Sequence, residues 1–150
     1  MNRRTLISAL GSTAAAWPVV ANAQQPKMLR VGAAGMNPRT IPSYVAFVGR
    51  LRALGSVEGQ NFVFDYILLD RTEGNPQAAK DLVARKVDLL LAYGPEVALK
   101  AAMAATTTIP IVMVAIDYDP LALGYVKSLT RPGGNVTGVR LKLHDLFRAP

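Results

Sequence analysis

The chain contains no cysteine. Disulfides, thiolate metal sites, thiol redox chemistry and a cysteine nucleophile are therefore excluded. The compartment is not fixed by this, because many exported bacterial proteins manage without disulfides. Histidine is nearly as scarce. His144 is the single one, near the C-terminus and far in sequence from every predicted strand-end loop. A Ser-His-acid triad would have to use it, yet no G-x-S-x-G elbow supplies a nucleophile, and a surface histidine is the simpler reading. A histidine-rich metal centre cannot be built. Phosphate-binding motifs are missing too. Gly32-Ala33-Ala34-Gly35-Met36-Asn37 has its glycines wrongly spaced for the dinucleotide fingerprint, and no G-x-x-x-x-G-K-[ST] is present. Concentrated charge is also absent. Arg30, Arg39, Arg50, Arg52, Lys80, Arg85, Lys86 and Lys100 are dispersed, with no basic run and no interleaved aromatic ladder. Nucleic-acid binding needs a concentrated basic stripe, so none is expected.

What is present is an apolar chain of one-domain size. It has 150 residues, 51% of them hydrophobic, and no low-complexity segment, enough to bury a core. Its N-terminus reads as an export signal. Arg3 and Arg4 precede an apolar or small stretch, Leu6–Val20, and Ala21-Asn22-Ala23 has the form of a signal-peptidase site. The apolar part is short for a membrane span. Arg3-Arg4-Thr5-Leu6-Ile7 fits a twin-arginine signal and an ordinary Sec signal equally. Residues 1–23 are thus expected to leave the mature protein, which starts near Gln24. Without Arg3 and Arg4 the formal charge falls from +7 to +5, since no acid precedes Glu58.

The remainder alternates strands and helices. Leu29–Gly35 reads as a first strand ending in glycine. Ile41–Leu54 places Val45, Val48, Leu51 and Leu54 at helical spacing, with Gly55 as its stop. Phe62–Leu69 is a second strand with Phe62, Phe64, Tyr66 and Leu68 on one side. A polar connection, Arg71–Pro76, leads to a second helix marked by Ala78, Ala79, Leu82 and Val83 and ending near Lys86. Val87–Tyr93 is a third strand, and Pro95 opens an alanine-rich third helix, Glu96–Thr106. Ile109–Ile116 lacks period-2 alternation, so both its faces are expected to be buried, as in a central parallel strand. A fourth helix is predicted around Leu121–Leu129. Arg131-Pro132-Gly133-Gly134-Asn135 then turns the chain into a fifth strand, Val136–Val139. Successive parallel strands need right-handed crossovers. The expected fold is α/β, a doubly wound parallel sheet of five strands in the order 2-1-3-4-5. Its switch point lies between the first and third strands. The loops Met36–Arg39 and Gly94–Glu96 should line one crevice there, with Asp117–Asp119 beside it.

Candidate ligand residues follow from that placement. Asn37 and Arg39 are loop-tip polar groups after the first strand, and Arg39 reads more simply as a solvated charge. Tyr93 and Tyr118 end apolar strands, where an aromatic ring stacks on a ligand or closes the core edge. Gly94 and Glu96 open the third helix, whose free N–H groups suit an anionic ligand group, while an acid in a first turn is favoured anyway. Asp117 and Asp119 invite acid–base work or an oxygen-ligated divalent ion. Asp119, directly before Pro120, reads as a helix cap. Asp117 divides evenly between ligand contact and bonds to loop backbone. Gly133-Gly134-Asn135 reads as a tight turn rather than an anion nest.

Several motifs together resemble bacterial ABC-transporter substrate-binding proteins, in particular the group with tryptophan- and tyrosine-type binding proteins. They are the leader ending Ala21-Asn22-Ala23-Gln24-Gln25, the turn Gly55-x-x-Glu58-Gly59-x-Asn61, Thr108-Ile109-Pro110-Ile111-Val112, and Arg131-Pro132-Gly133-Gly134-Asn135-x-Thr137-Gly138. The resemblance runs to about Val139. It implies a type I periplasmic-binding-protein fold, two α/β lobes with ligand between them, an inner-membrane permease as partner, no cofactor and no catalysis. The expected protein is a periplasmic monomer that captures a small-molecule solute. Residues 24–140 would be its N-terminal lobe, and residues 141–150 the start of a crossover toward a second lobe. Asn37, Gly94, Glu96 and Asp117 would form one wall of the cleft, with Tyr93 and Tyr118 as further ligand-binding candidates. Many relatives of this kind carry Thr or Ser after the glycine of the third strand, whereas this chain has Gly94-Pro95-Glu96. An acid there suits a ligand with a donor or positive group. Two other classes share the fold: a small exported hydrolase using Asp117, and the effector-sensing lobe of a regulator. The latter would carry a DNA-binding helix-turn-helix where residues 1–23 read as a leader.

Overall fold

Five short apolar segments are joined by long connections of the kind that parallel pairing needs, and they pair in parallel. In the computed structural model, which describes residues 28–128 and 130–142, they are β1 (Leu29–Gly35), β2 (Phe62–Leu68), β3 (Leu89–Gly94), β4 (Ile111–Ile116) and β5 (Val136–Leu141). They form one sheet in the order β2-β1-β3-β4-β5 with every neighbouring pair parallel. The doubly wound order expected from the sequence is therefore the observed one. Three α-helices make the crossovers: α1 (Pro42–Ala53), α2 (Asn75–Ala84) and α3 (Glu96–Ala105). A single 3-10 turn, Thr72–Gly74, precedes α2. Among the described residues no helix is long and apolar enough to cross a membrane. The expected leader, residues 1–23, and His144 lie outside the described residues.

The two sheet faces are unequal. Leu82 of α2 and Leu99 and Ala102 of α3 pack on Leu90, Ala92, Ile111, Met113, Ala115 and Val136, which form the main core. Leu99, Ile111 and Ala115 are wholly buried there. The alanines of α3 let helix and sheet approach closely. The opposite face carries a smaller cluster: Ala33, Phe62 and Phe64 under Tyr44 and Leu51 of α1. Burial along β4 alternates. Ile111, Met113 and Ala115 are buried, and Val112, Val114 and Ile116 only half so. The expectation that both faces of this strand are buried is thus corrected. Right-handed crossovers put α2 and α3 on one side, and only α1, over β1 and β2, occupies the other.

Two further expectations change. The inward face of α1 is not Val45–Val48–Leu51–Leu54, because Val45 and Leu54 are 58% and 66% exposed. Instead Tyr44 and Leu51 turn inward. The face is rotated by one residue because burying the Tyr44 ring against Phe64 removes more apolar area than a valine can. The fourth helix around Leu121–Leu129 is replaced by a single turn. Asp119 caps it, with Oδ1 accepting from the Leu121 and Ala122 N–H groups at 3.0 and 3.2 Å. It ends at Gly124, whose φ is +75°. The cap reading of Asp119 holds, but what it caps is one turn. β5 in turn runs on to Leu141, two residues past the expected end.

Candidate functional site

The C-terminal tips of β1 and β3 lie side by side, and their outgoing connections diverge to opposite sides of the sheet. A pocket of about 340 Å³ opens at this point. Gly35–Pro38 from the β1–α1 loop and Tyr93–Pro95 from the β3–α3 loop form its rim. Gly94, at φ +112°, makes the turn from strand to helix in a backbone region that L side chains rarely adopt. Leu69 and Thr72 of the β2–α2 connection and Asn75, the first residue of α2, close one side, and Tyr44 and Phe47 of α1 with Phe64 of β2 give the aromatic wall. The lining is mainly apolar with a few polar groups, the usual character of a small-molecule site.

The aromatic wall is a packed unit. Tyr44 meets Phe64 edge-on at 5.4 Å between ring centres and Tyr66 at 6.0 Å, and Phe47 meets Phe64 at 6.3 Å. Arg39 lies against it, its guanidinium carbon 5.1 Å from the Tyr44 ring centre and 5.5 Å from that of Phe64. Its Nη2 donates to Glu58 Oε2 at 2.5 Å. Burial works against the Arg39 charge, but the Glu58 carboxylate outweighs it and the guanidinium pKa is raised. Burial likewise pushes the Tyr44 and Tyr66 phenols up, against the pull of Arg39. Arg39 is therefore no loose solvated charge but the back brace of the aromatic wall. The Tyr66 hydroxyl donates to the Asn37 carbonyl at 2.7 Å and fixes the β1–α1 loop.

Of the residues singled out from the sequence, Asn37, Tyr93 and Gly94 come together on this rim. The other three lie apart from it. Glu96 accepts a hydrogen bond from the Tyr125 hydroxyl and sits 4.0 Å from the Lys100 ammonium. The bond to Glu96 holds the Tyr125 phenol protonated, and burial with the Glu96 charge does the same for Tyr118. Tyr118 packs against the main core, closing its edge. Asp117 is exposed, with φ +59°, and its N–H donates to the Leu141 carbonyl. Asp119 Oδ2 pairs with Arg140 Nη1 at 2.5 Å. The two aspartates thus tie the β4–β5 connection to β5. Among the described residues no group of three His, Cys, Asp or Glu side chains is placed to hold a metal ion.

Sequence reasoning missed Tyr44, Phe47, Phe64, Thr72 and Asn75 as pocket residues. The Asn75-Pro76 pair, at the start of a helix following a strand, was the available signal, since strand-end loops line such crevices.

The chain is similar to known proteins in sequence and in fold. Residues 45–146 match the family described as ABC transporter substrate binding protein. A tyrosine-binding protein of Clostridioides difficile is 39% identical over 93 residues, which are 61% of this chain and 26% of the relative. A conserved domain protein from Vibrio cholerae superposes with a TM-score of 0.63 at 31% identity, over 75% of this chain and 38% of that one. The ligand-free, open form of a substrate binding protein with adhesive properties from Clostridium difficile gives 0.60 at 29% identity, with the same shares covered. The chain therefore spans well under half the length of these relatives. With a fold that superposes on these structures, and the family match covering more than half of its residues, this chain belongs to the ABC transporter substrate-binding protein family.

Proposed function

We propose that the chain is the N-terminal solute-binding lobe of an ABC importer component, exported to the periplasm and working with an inner-membrane permease. Residues 1–23 serve as the leader, residues 24–140 as the lobe, and residues 141–150 begin the path to a second lobe. The observation that carries this reading is the aromatic-walled pocket at the β1–β3 switch point, where open α/β sheets bind ligands. Its character favours a small solute with a planar apolar part, an aromatic amino acid being the first candidate. The tyrosine-binding relative points the same way. Asn37, Tyr93 and Gly94 meet the solute from the rim, and Glu96, Asp117 and Tyr118 hold the neighbouring loops in place. In a two-lobed protein, closure of the other lobe would bury the solute and signal the permease. The family consists of substrate-binding proteins rather than enzymes, and the pocket is used for capture alone.

One lobe supplies only part of the contacts and leaves its solute open to water, so its affinity should be low. Titration calorimetry of the mature chain with L-tyrosine and L-tryptophan is expected to give dissociation constants of about 1 mM, near −4 kcal/mol. Submicromolar, saturable binding by this lobe alone would contradict the shared-cleft reading.

A further inference from the structure

We infer that Asn75 is the specificity residue of this pocket, its side-chain carbonyl accepting a hydrogen bond from an N–H or O–H on the aromatic part of the solute. The inference rests on the solute-binding reading above and adds the chemical class that the pocket selects: ring systems with a polar hydrogen, phenols and indoles, over plain phenyl groups.

Asn75 is 7% exposed and is the one buried polar residue among those described. It lines the pocket where the β2–α2 connection meets the sheet. Its amide nitrogen Nδ2 donates to the Thr72 carbonyl at 2.7 Å, and its backbone N–H goes to the same oxygen. That bond fixes which way the amide faces. The carbonyl oxygen Oδ1 accepts nothing among the described residues, yet it is not one of the sealed, unpartnered polar atoms, which are Tyr44 Oη and Arg140 Nε. A buried amide held by one end thus leaves its acceptor reachable from the space that it borders.

An acceptor covered by a ligand that offers it no donor loses its water and costs about 1–3 kcal/mol, which a phenol or indole avoids. A water molecule is the competing donor. The small cavity of about 20 Å³ that also borders Asn75 has room for one. Its other lining side chains are alanines and leucines, which offer none of the two to four partners that a buried water takes. The large pocket is different. There the ring-bearing wall of Tyr44, Phe47 and Phe64 provides for an aromatic ring, and Asn75 provides for the hydrogen on that ring. Sites built to hydrogen-bond a substrate group reject the analogue lacking it, because the buried partner is left unpaired.

The test compares L-tyrosine with L-phenylalanine, titrated by NMR into the mature chain and into Asn75→Leu and Asn75→Asp. Both variants lose the donor to Thr72, so any structural cost of that bond is common to them. Only Asn75→Asp keeps an acceptor. The unmodified chain should prefer tyrosine by about fivefold or more, the equivalent of one net hydrogen bond. Asn75→Asp should keep the preference and Asn75→Leu should bind both ligands equally. A tyrosine preference that survives in Asn75→Leu, or that is missing from the unmodified chain while phenylalanine binds, overturns the assignment of Asn75 and leaves the solute-binding reading standing. Loss of the preference in both variants also overturns it, assigning the effect to the Thr72 bond. Absence of binding of either amino acid to the unmodified chain overturns the reading and the assignment together.

Discussion

Gly138 carries a constraint that no side chain can meet. It sits in β5 at φ +145°, and a Cβ built there would lie 1.9 Å from the Met113 carbonyl oxygen of β4. Backbone cannot yield as a flexible side chain would, so Gly138→Ala should cost more than about 4 kcal/mol, the range reserved for a specific steric failure. Urea unfolding measures this directly. Asp119 makes a milder, pH-dependent statement. The Ala122 N–H first, with the Leu121 N–H and Arg140, holds its carboxyl below the usual range, against desolvation, which acts to raise it. A carboxylate with a depressed folded-state pKa adds stability that is fully present above its unfolded value of about 3.9 and is lost as pH falls through the folded value. The stability gap between the parent chain and Asp119→Asn should therefore be widest near neutrality and close below about pH 4. A gap that stays constant down to pH 2.5 would count against the cap and its ion pair.

At the scale of elements, long apolar runs were legible and short polar ones were not. β1 begins and ends where the sequence places it, because LRVGAAG is apolar between polar leads and its glycine end frees the chain to turn. The sheet order expected of a doubly wound strand–helix alternation is the observed one. The fourth helix failed because Leu121–Leu129 carries helix-forming side chains, yet Pro120 and Gly124 allow only one turn between them. The face of α1 failed for a different reason. Val48 and Leu51 belong to two overlapping stripes, and periodicity cannot choose between a valine stripe and an aromatic one. Tertiary packing on Phe64 decides it. Leu54→Ser should thus alter stability by no more than about 0.5 kcal/mol, as at other exposed positions. Leu99→Ala, in the wholly buried face of α3, should cost about 2–5 kcal/mol. Equal effects in thermal melts would mean that α1 and α3 are misassigned as outer and core helices. The candidate site was half legible. Strand-end position identified Asn37, Tyr93 and Gly94, but the aromatic wall comes from a helix face and a strand face that meet only in three dimensions.

As a whole molecule, the described chain is a sheet with α2 and α3 on one face, α1 alone on the other, and a pocket at its switch point. The pairs Arg39–Glu58 and Tyr66–Asn37 brace the β1–α1 side of the rim, and Tyr125–Glu96 and Asp119–Arg140 brace the loops beside it. Such bracing gives a rim that is formed before any solute arrives, which lowers the ordering cost of binding. The central claim is that this pre-formed rim is where the solute goes. Amide chemical-shift mapping of the mature chain during titration with L-tyrosine tests it most directly. Fast-exchange shifts are expected at Gly35–Asn37, Tyr44, Phe64, Asn75 and Tyr93–Gly94, saturating in the millimolar range. Shifts confined to other surfaces, or none at millimolar tyrosine, would contradict it.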